Sequence, residues 1–165
     1  MKELKKDIEK KNFKNIYVFY GEEDYLKKYY QNLMISTLLT DDLKMMNFDT
    51  FEGKSCSVEL IKDAFTTLPF LSEYRIVIIK ESNLFCTGRK DDTEKLLQHI
   101  NLIPETSILI FIEDSVDKRN KLYKKVNTIG RIVEFKNPGE KDLIVWVKKI
   151  FKKSNIEINT EVVVY

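Results

Sequence analysis

The residues best placed to do chemistry are Gly21-Glu22-Glu23-Asp24-Tyr25-Leu26-Lys27-Lys28, directly after the apolar run Ile16-Tyr17-Val18-Phe19-Tyr20. Strand, glycine turn and helix start form the setting in which a phosphate loop cradles a nucleotide. The pattern G-x-x-x-x-G-K-[ST] needs its second glycine so that the backbone can wrap the phosphates, and its hydroxyl to hold magnesium. Here the first glycine and a lysine are kept, but Leu26 replaces the second glycine and Lys28 the hydroxyl residue. Glu22, Glu23 and Asp24 put carboxylates where triphosphate charge would sit, and like charges in a desolvated site repel strongly. The apolar run Ile76-Val77-Ile78-Ile79 ends in Lys80-Glu81, a cation where an acidic magnesium ligand is needed. These residues predict a degenerate loop that joins strand to helix, with no nucleotide cofactor.

Other constellations are sparse. His99 is the single histidine and lies among leucines, while Cys56 and Cys86 are far apart and form no CxxC. A structural zinc site needs more ligands than these, and a disulfide framework more cysteines, so neither metal nor disulfide is expected. Asp41-Asp42 and Asp91-Asp92 are adjacent pairs, read as solvated turn acids because neighbours on a chain rarely converge on one point. Lys118, Arg119, Lys121, Lys124 and Lys125 form a basic cluster. It reads as a solvated face, with contact to phosphate or an acidic partner as the alternative.

The remaining oddity is apolar. Leu68-Pro69-Phe70-Leu71 falls between a helix and a strand, where a surface connection is normally polar. Two readings are open: a hydrophobic staple folded back on the core, or a proline-stiffened plug that enters a partner's pocket with little entropy left to lose.

The elements that position these residues follow from periodicity. Leu4 and Ile8 mark a short leader helix over 1–12, and a helix follows the Gly21 turn to about Leu39, with Leu26, Tyr29 or Tyr30, Leu33 and Thr37 inward. A short strand is expected at 46–51, then a turn at Gly53-Lys54-Ser55. Ser57 is read as the N-cap of a helix over 58–68 whose core stripe is Val58, Ile61, Phe65 and Leu68. Pro69 disfavours helix at the residue before it. Strands are expected at 75–80, 107–112 and 131–135, and helices at 93–100 (Leu96, Leu97 and Ile100 inward) and 117–126. Near-continuous apolar strands alternating with helices imply an α/β fold, a five-stranded parallel sheet with helices on both faces. Asn137-Pro138-Gly139-Glu140 reads as a boundary between an α/β domain over 1–137 and the start of a truncated helical domain over 138–165. In the latter Leu143, Trp146, Val147, Ile150 and Phe151 make one stripe.

Composition agrees. A 165-residue chain with 43% hydrophobic residues supports one full domain, and 33% charged residues with a net charge of only +2 carry no case for tight nucleic-acid binding. No apolar run approaches the ~18 residues of a membrane span, and residues 1–11 lack the core of a signal peptide. A soluble cytoplasmic protein with reduced thiols is expected.

Together the residues Tyr17-Val18-Phe19-Tyr20-Gly21-Glu22-Glu23-Asp24-Tyr25-Leu26, the stretch from Leu68-Pro69-Phe70-Leu71 to Lys80, and Val133-Glu134-Phe135 leading to Leu143-Ile144-Val145-Trp146-Val147 resemble a known family. The chain is similar, over essentially its whole length, to the N-terminal part of delta subunits of the bacterial DNA polymerase III clamp loader. The resemblance implies an AAA+-type domain that has lost ATP binding, then a helical lid domain, with a collar domain absent. It implies a non-catalytic component of the polymerase holoenzyme that binds and opens the sliding clamp during DNA replication. The clamp-binding element falls on Leu68, Pro69, Phe70 and Leu71, with Leu71 where a second Phe is common. Expected partners are the clamp, other loader subunits through a missing C-terminal region, and DNA in the assembled complex, with no membrane. The four-cysteine zinc module of the motor and delta-prime relatives is absent from this sequence, which favours delta. The rival readings are a P-loop NTPase or kinase with an unorthodox loop, and an unrelated α/β interaction domain.

Overall fold

Ile, Val, Leu, Phe and Tyr fill three runs that become the centre of a sheet in the computed structural model, because side chains apolar on both faces are stable only where both faces are covered. These are β1 (Ile16–Tyr20), β3 (Arg75–Lys80) and β4 (Ser107–Glu113). The more polar β2 (Phe48–Glu52) and β5 (Arg131–Glu134) take the edges. The strand order is β2-β3-β4-β1-β5 and every pairing is parallel, with Ile16 opposite Leu109 and Ile76 opposite Ile108. The structure describes residues 1–53 and 56–136, and those up to Phe135 form one compact unit. The expected helical stretch 138–165, and Lys54 and Ser55 of the expected turn, lie outside the described residues.

Strand alternation sends successive residues to opposite cores. Tyr17, Phe19, Ile76, Ile78, Ile108 and Ile110 pack under α1 (Lys2–Glu9) and α2 (Asp24–Leu38). Val18, Tyr20, Val77, Ile79, Leu109 and Phe111 pack under α4 (Val58–Thr66), α5 (Lys90–His99) and α6 (Lys121–Ile129). The leader helix is tied down by Asp7, which accepts from Arg131 at 2.7 and 2.8 Å and from the Tyr17 hydroxyl at 3.1 Å.

Several local expectations need correction. A further helix, α3 (Asp41–Asn47), stands in place of the expected turn, so Asp41 and Asp42 open a helix and Asp41 pairs with Lys44 at 2.6 Å. Asp91 and Asp92 likewise sit in the first turn of α5, which starts at Lys90 rather than Thr93. The buried face of α2 carries Tyr30, Met34 and Ile35, while Leu26, Leu33 and Thr37 are half-buried. The expected helix at 117–126 starts later, at Lys121, capped by the Asn120 side chain. The helix begun by Ser57 ends at Thr66, before the expected limit at Leu68. Its buried stripe is Val58, Ile61, Ala64 and Phe65, and Leu68 is 71% exposed.

Candidate functional site

The connection order reverses between β1 and β4, and ligands of open α/β sheets bind outside the carboxyl ends of the strands at such a point. The Gly21 loop lies there, and two of its backbone donors are bonded to the chain itself. Gly21 N–H donates to Asp114 O at 3.2 Å and Glu23 N–H to Phe135 O at 3.3 Å. Gly21 has φ +120°, and a Cβ there would come within 2.2 Å of Phe135 O. Lys27, the lysine of the motif, is buried and turned inward. Its ammonium pairs with Asp24 at 2.9 Å and Asp114 at 3.6 Å and donates to Glu113 O at 3.4 Å. A cation that could meet phosphate is thus neutralised by the chain's own acids. Beside it the buried Glu113 carboxylate accepts from Ser82 Oγ, Ser82 N–H and Asn83 N–H. Burial nonetheless pushes its carboxyl above the ordinary range. Lys80 ends β3 in register with Glu52 and Ile112. Among the described residues no group of His, Cys, Asp and Glu could hold a metal ion, and no helix is long and apolar enough to cross a membrane. The basic cluster is partly paired, Lys118 with Glu134, Arg119 with Asp117 and Lys121 with Glu94.

The apolar tip occupies the opposite end of the sheet, since α4 runs back towards the amino ends of the strands and β3 starts at Arg75. The two readings of Phe70-Leu71 separate on exposure: Phe70 is 54% and Leu71 79% exposed, so neither folds back as a staple. Pro69 is half-buried between them and Leu68. The helix that leads to the tip is closed by hydroxyls, with Thr66 Oγ1 donating to Lys62 O at 2.8 Å and Thr67 Oγ1 to Asp63 O at 2.7 Å. Asp63 O also accepts from Thr67 N–H at 3.2 Å, so the hydroxyls add second bonds to carbonyls of the last turn.

Below the tip lies a set of polar braces. Arg75 donates from Nε to Ala64 O at 3.0 Å and from Nη1 to Met46 O at 2.9 Å, and pairs with Asp49. Ser107 Oγ donates to Phe65 O at 2.7 Å. Asn47 reaches the tip itself: its amide donates to Phe70 O at 2.8 Å and accepts from Phe70 N–H at 2.6 Å. Leu71 follows with φ +51°, a left-handed conformation that costs a non-glycine residue about 1 kcal/mol or more. The exposed side chains Met45 (85%) and Met46 (54%) stand at the end of α3, immediately before Asn47. Asn47 and Arg75 carry no local signal in the sequence, because their contacts at the tip are with residues more than ten positions away. Chemically the arrangement offers large, exposed apolar side chains on a held backbone.

Comparison with known proteins bears on the family and the fold. Residues 17–136 match the family model described as DNA polymerase III, delta subunit. The chain is 26% identical over 166 residues to DNA polymerase III subunit delta of Bacillus subtilis, covering 94% of this chain and 47% of that protein. Among solved structures it is similar to the Bacillus subtilis DNA clamp loader delta protein, with a TM-score of 0.81 and 21% identity over 98% of this chain and 50% of that one. A DNA polymerase III gamma subunit-related protein from Thermotoga maritima gives a TM-score of 0.55 at 16% identity over 92% and 51% of the two chains. The chain spans about half the length of these relatives, and its five-stranded parallel sheet is of the AAA+ type.

Proposed function

This chain belongs to the DNA polymerase III delta-subunit family, and we propose that it serves a clamp loader by inserting residues 68–71 into an apolar pocket of the sliding clamp. The observation that carries this reading is the exposure of Leu68, Phe70 and Leu71 on a backbone braced from beneath. Phe70 and Leu71 act as the anchors, Leu68 flanks them, and Pro69 limits the turn's freedom. Burying two such side chains contributes about 3–5 kcal/mol, which the wrench-like action of the subunit spends on holding one clamp interface open. The energy that resets the cycle comes from ATP bound by neighbouring subunits. No hydrolysis is assigned to this chain, a reading supported by the ion-paired Lys27 and by the Gly21 and Glu23 N–H groups bonded within the chain. Contacts with other loader subunits and with DNA belong to the assembled complex, through the part of the relatives that this chain does not span.

Capture of purified sliding clamp by the wild-type chain and by the Phe70→Ala, Leu71→Ala double variant tests the site. The wild type should bind and the double variant should lose at least about a hundredfold in affinity. Equal affinity of the two proteins would remove residues 68–71 from the interface.

A further inference from the structure

The tip's shape depends on a residue outside it. Between the last turn of α4 and the start of β3, among the described residues, the backbone is tied at Phe70 by Asn47 and by a 3.4 Å contact from Tyr74 N–H to Ser72 Oγ. Asn47 is fully buried, and its amide meets both polar groups of one residue, as a neighbouring strand would. The same Nδ2 also donates to Leu43 O at 3.0 Å, which fixes the amide against its own helix. The peptide before it is held in turn, because Met46 O accepts from Arg75.

We propose that Asn47 is a positioning residue for clamp binding, pinning the Phe70 peptide so that the anchors stay exposed in the geometry that docks. This rests on the clamp-binding reading above. The contact sits on the backbone and leaves the ring uncovered: Phe70 is half in solvent while its peptide is saturated. A residue that only stabilised the fold would more simply cover the apolar side chains, since burying them is the larger gain. Holding Phe70 also holds its neighbour Leu71 in the left-handed region, which a free loop populates rarely for leucine. A tip held in one arrangement loses less entropy on docking. Asparagine suits the task because it offers a donor and an acceptor a short side chain away. Aspartate would set a carboxylate against Phe70 O, and alanine would leave both groups unpaired.

The test uses the full chain. Wild-type, Asn47→Ala and Val126→Ala proteins are titrated with sliding clamp at a temperature where each is folded, and amide exchange is followed by NMR. Val126 is a buried residue of α6, facing the opposite core from α1 and α2, and serves as a control for lost stability. Asn47→Ala should weaken clamp binding by about tenfold or more, as expected if the docking arrangement falls to a tenth of the population. It should also release the Phe70 amide while β3 amides stay protected, and Val126→Ala should bind as the wild type does. Wild-type affinity in Asn47→Ala overturns the role of Asn47 alone, and so does an unprotected Phe70 amide in the wild type, which decides the matter even if Asn47→Ala does not fold. Absence of binding by the wild type overturns the clamp-binding reading and this role with it.

Discussion

Gly21 carries a constraint that no other side chain can meet. Its φ of +120° and the 2.2 Å approach of Phe135 O to a Cβ leave room for hydrogen only. Gly21→Ala should cost about 2–4 kcal/mol, combining backbone strain with a displaced β5 exit, and urea unfolding will measure it. Glu113 gives a second prediction. Its carboxyl is raised first by burial and also by the charge of Asp114, against the opposing donors Ser82 and Asn83. The folded state therefore holds this proton more tightly than the unfolded chain, whose carboxyl titrates near 4.5. The group favours folding while protonated, and that contribution is lost as pH rises from the ordinary value through the raised one. The unfolding midpoint of the wild type relative to Glu113→Gln should fall over that interval and then level off. A difference independent of pH would show that Glu113 does not titrate within it.

At the scale of elements, the site is made where two helices end. Ser57 Oγ accepts from Leu60 N–H at 3.2 Å and starts α4. Ser57→Ala should lower stability by about 1 kcal/mol, read from thermal unfolding, with clamp affinity unchanged because the far end of the helix carries the tip. The early stop at Thr66 matters more: one further helical turn would have carried Leu68 round towards the core stripe. Threonine hydroxyls bonded to Lys62 O and Asp63 O close the helix, and Pro69 prevents its resumption. The short α3 supplies Asn47 from the side, and its seven residues make sense only with that tertiary contact, since so short a helix is marginal alone.

For the whole molecule, the parallel sheet sets the two sites apart. The Gly21 loop lies at the carboxyl ends of the strands and the tip at their amino ends, with the length of the sheet and its two packed faces separating them. Changes at the tip should therefore leave the fold alone. The Phe70→Ala, Leu71→Ala protein should unfold within about 0.5 kcal/mol of wild type, as exposed positions usually do. Calorimetric titration with Mg-ATP should give no binding heat, because Gly21 N–H, Glu23 N–H and Lys27 already have protein partners. Micromolar binding would restore the NTPase reading.

The sequence by itself determined the sheet and its helices other than α3, because β-branched runs and helical stripes are local signals that burial on two faces enforces. It also determined the failure of the phosphate motif, legible in Leu26 and the acids after Gly21, and the four apolar residues at 68–71. Only the tertiary structure decided that Phe70 and Leu71 face solvent, because a staple and a plug share the same residues and differ only in what lies above them. Asn47 and Arg75 were equally out of reach of periodicity. Their partners are 23 and 26 positions away at Phe70 and Asp49, and such bonds exist only once α3, β2 and β3 have met.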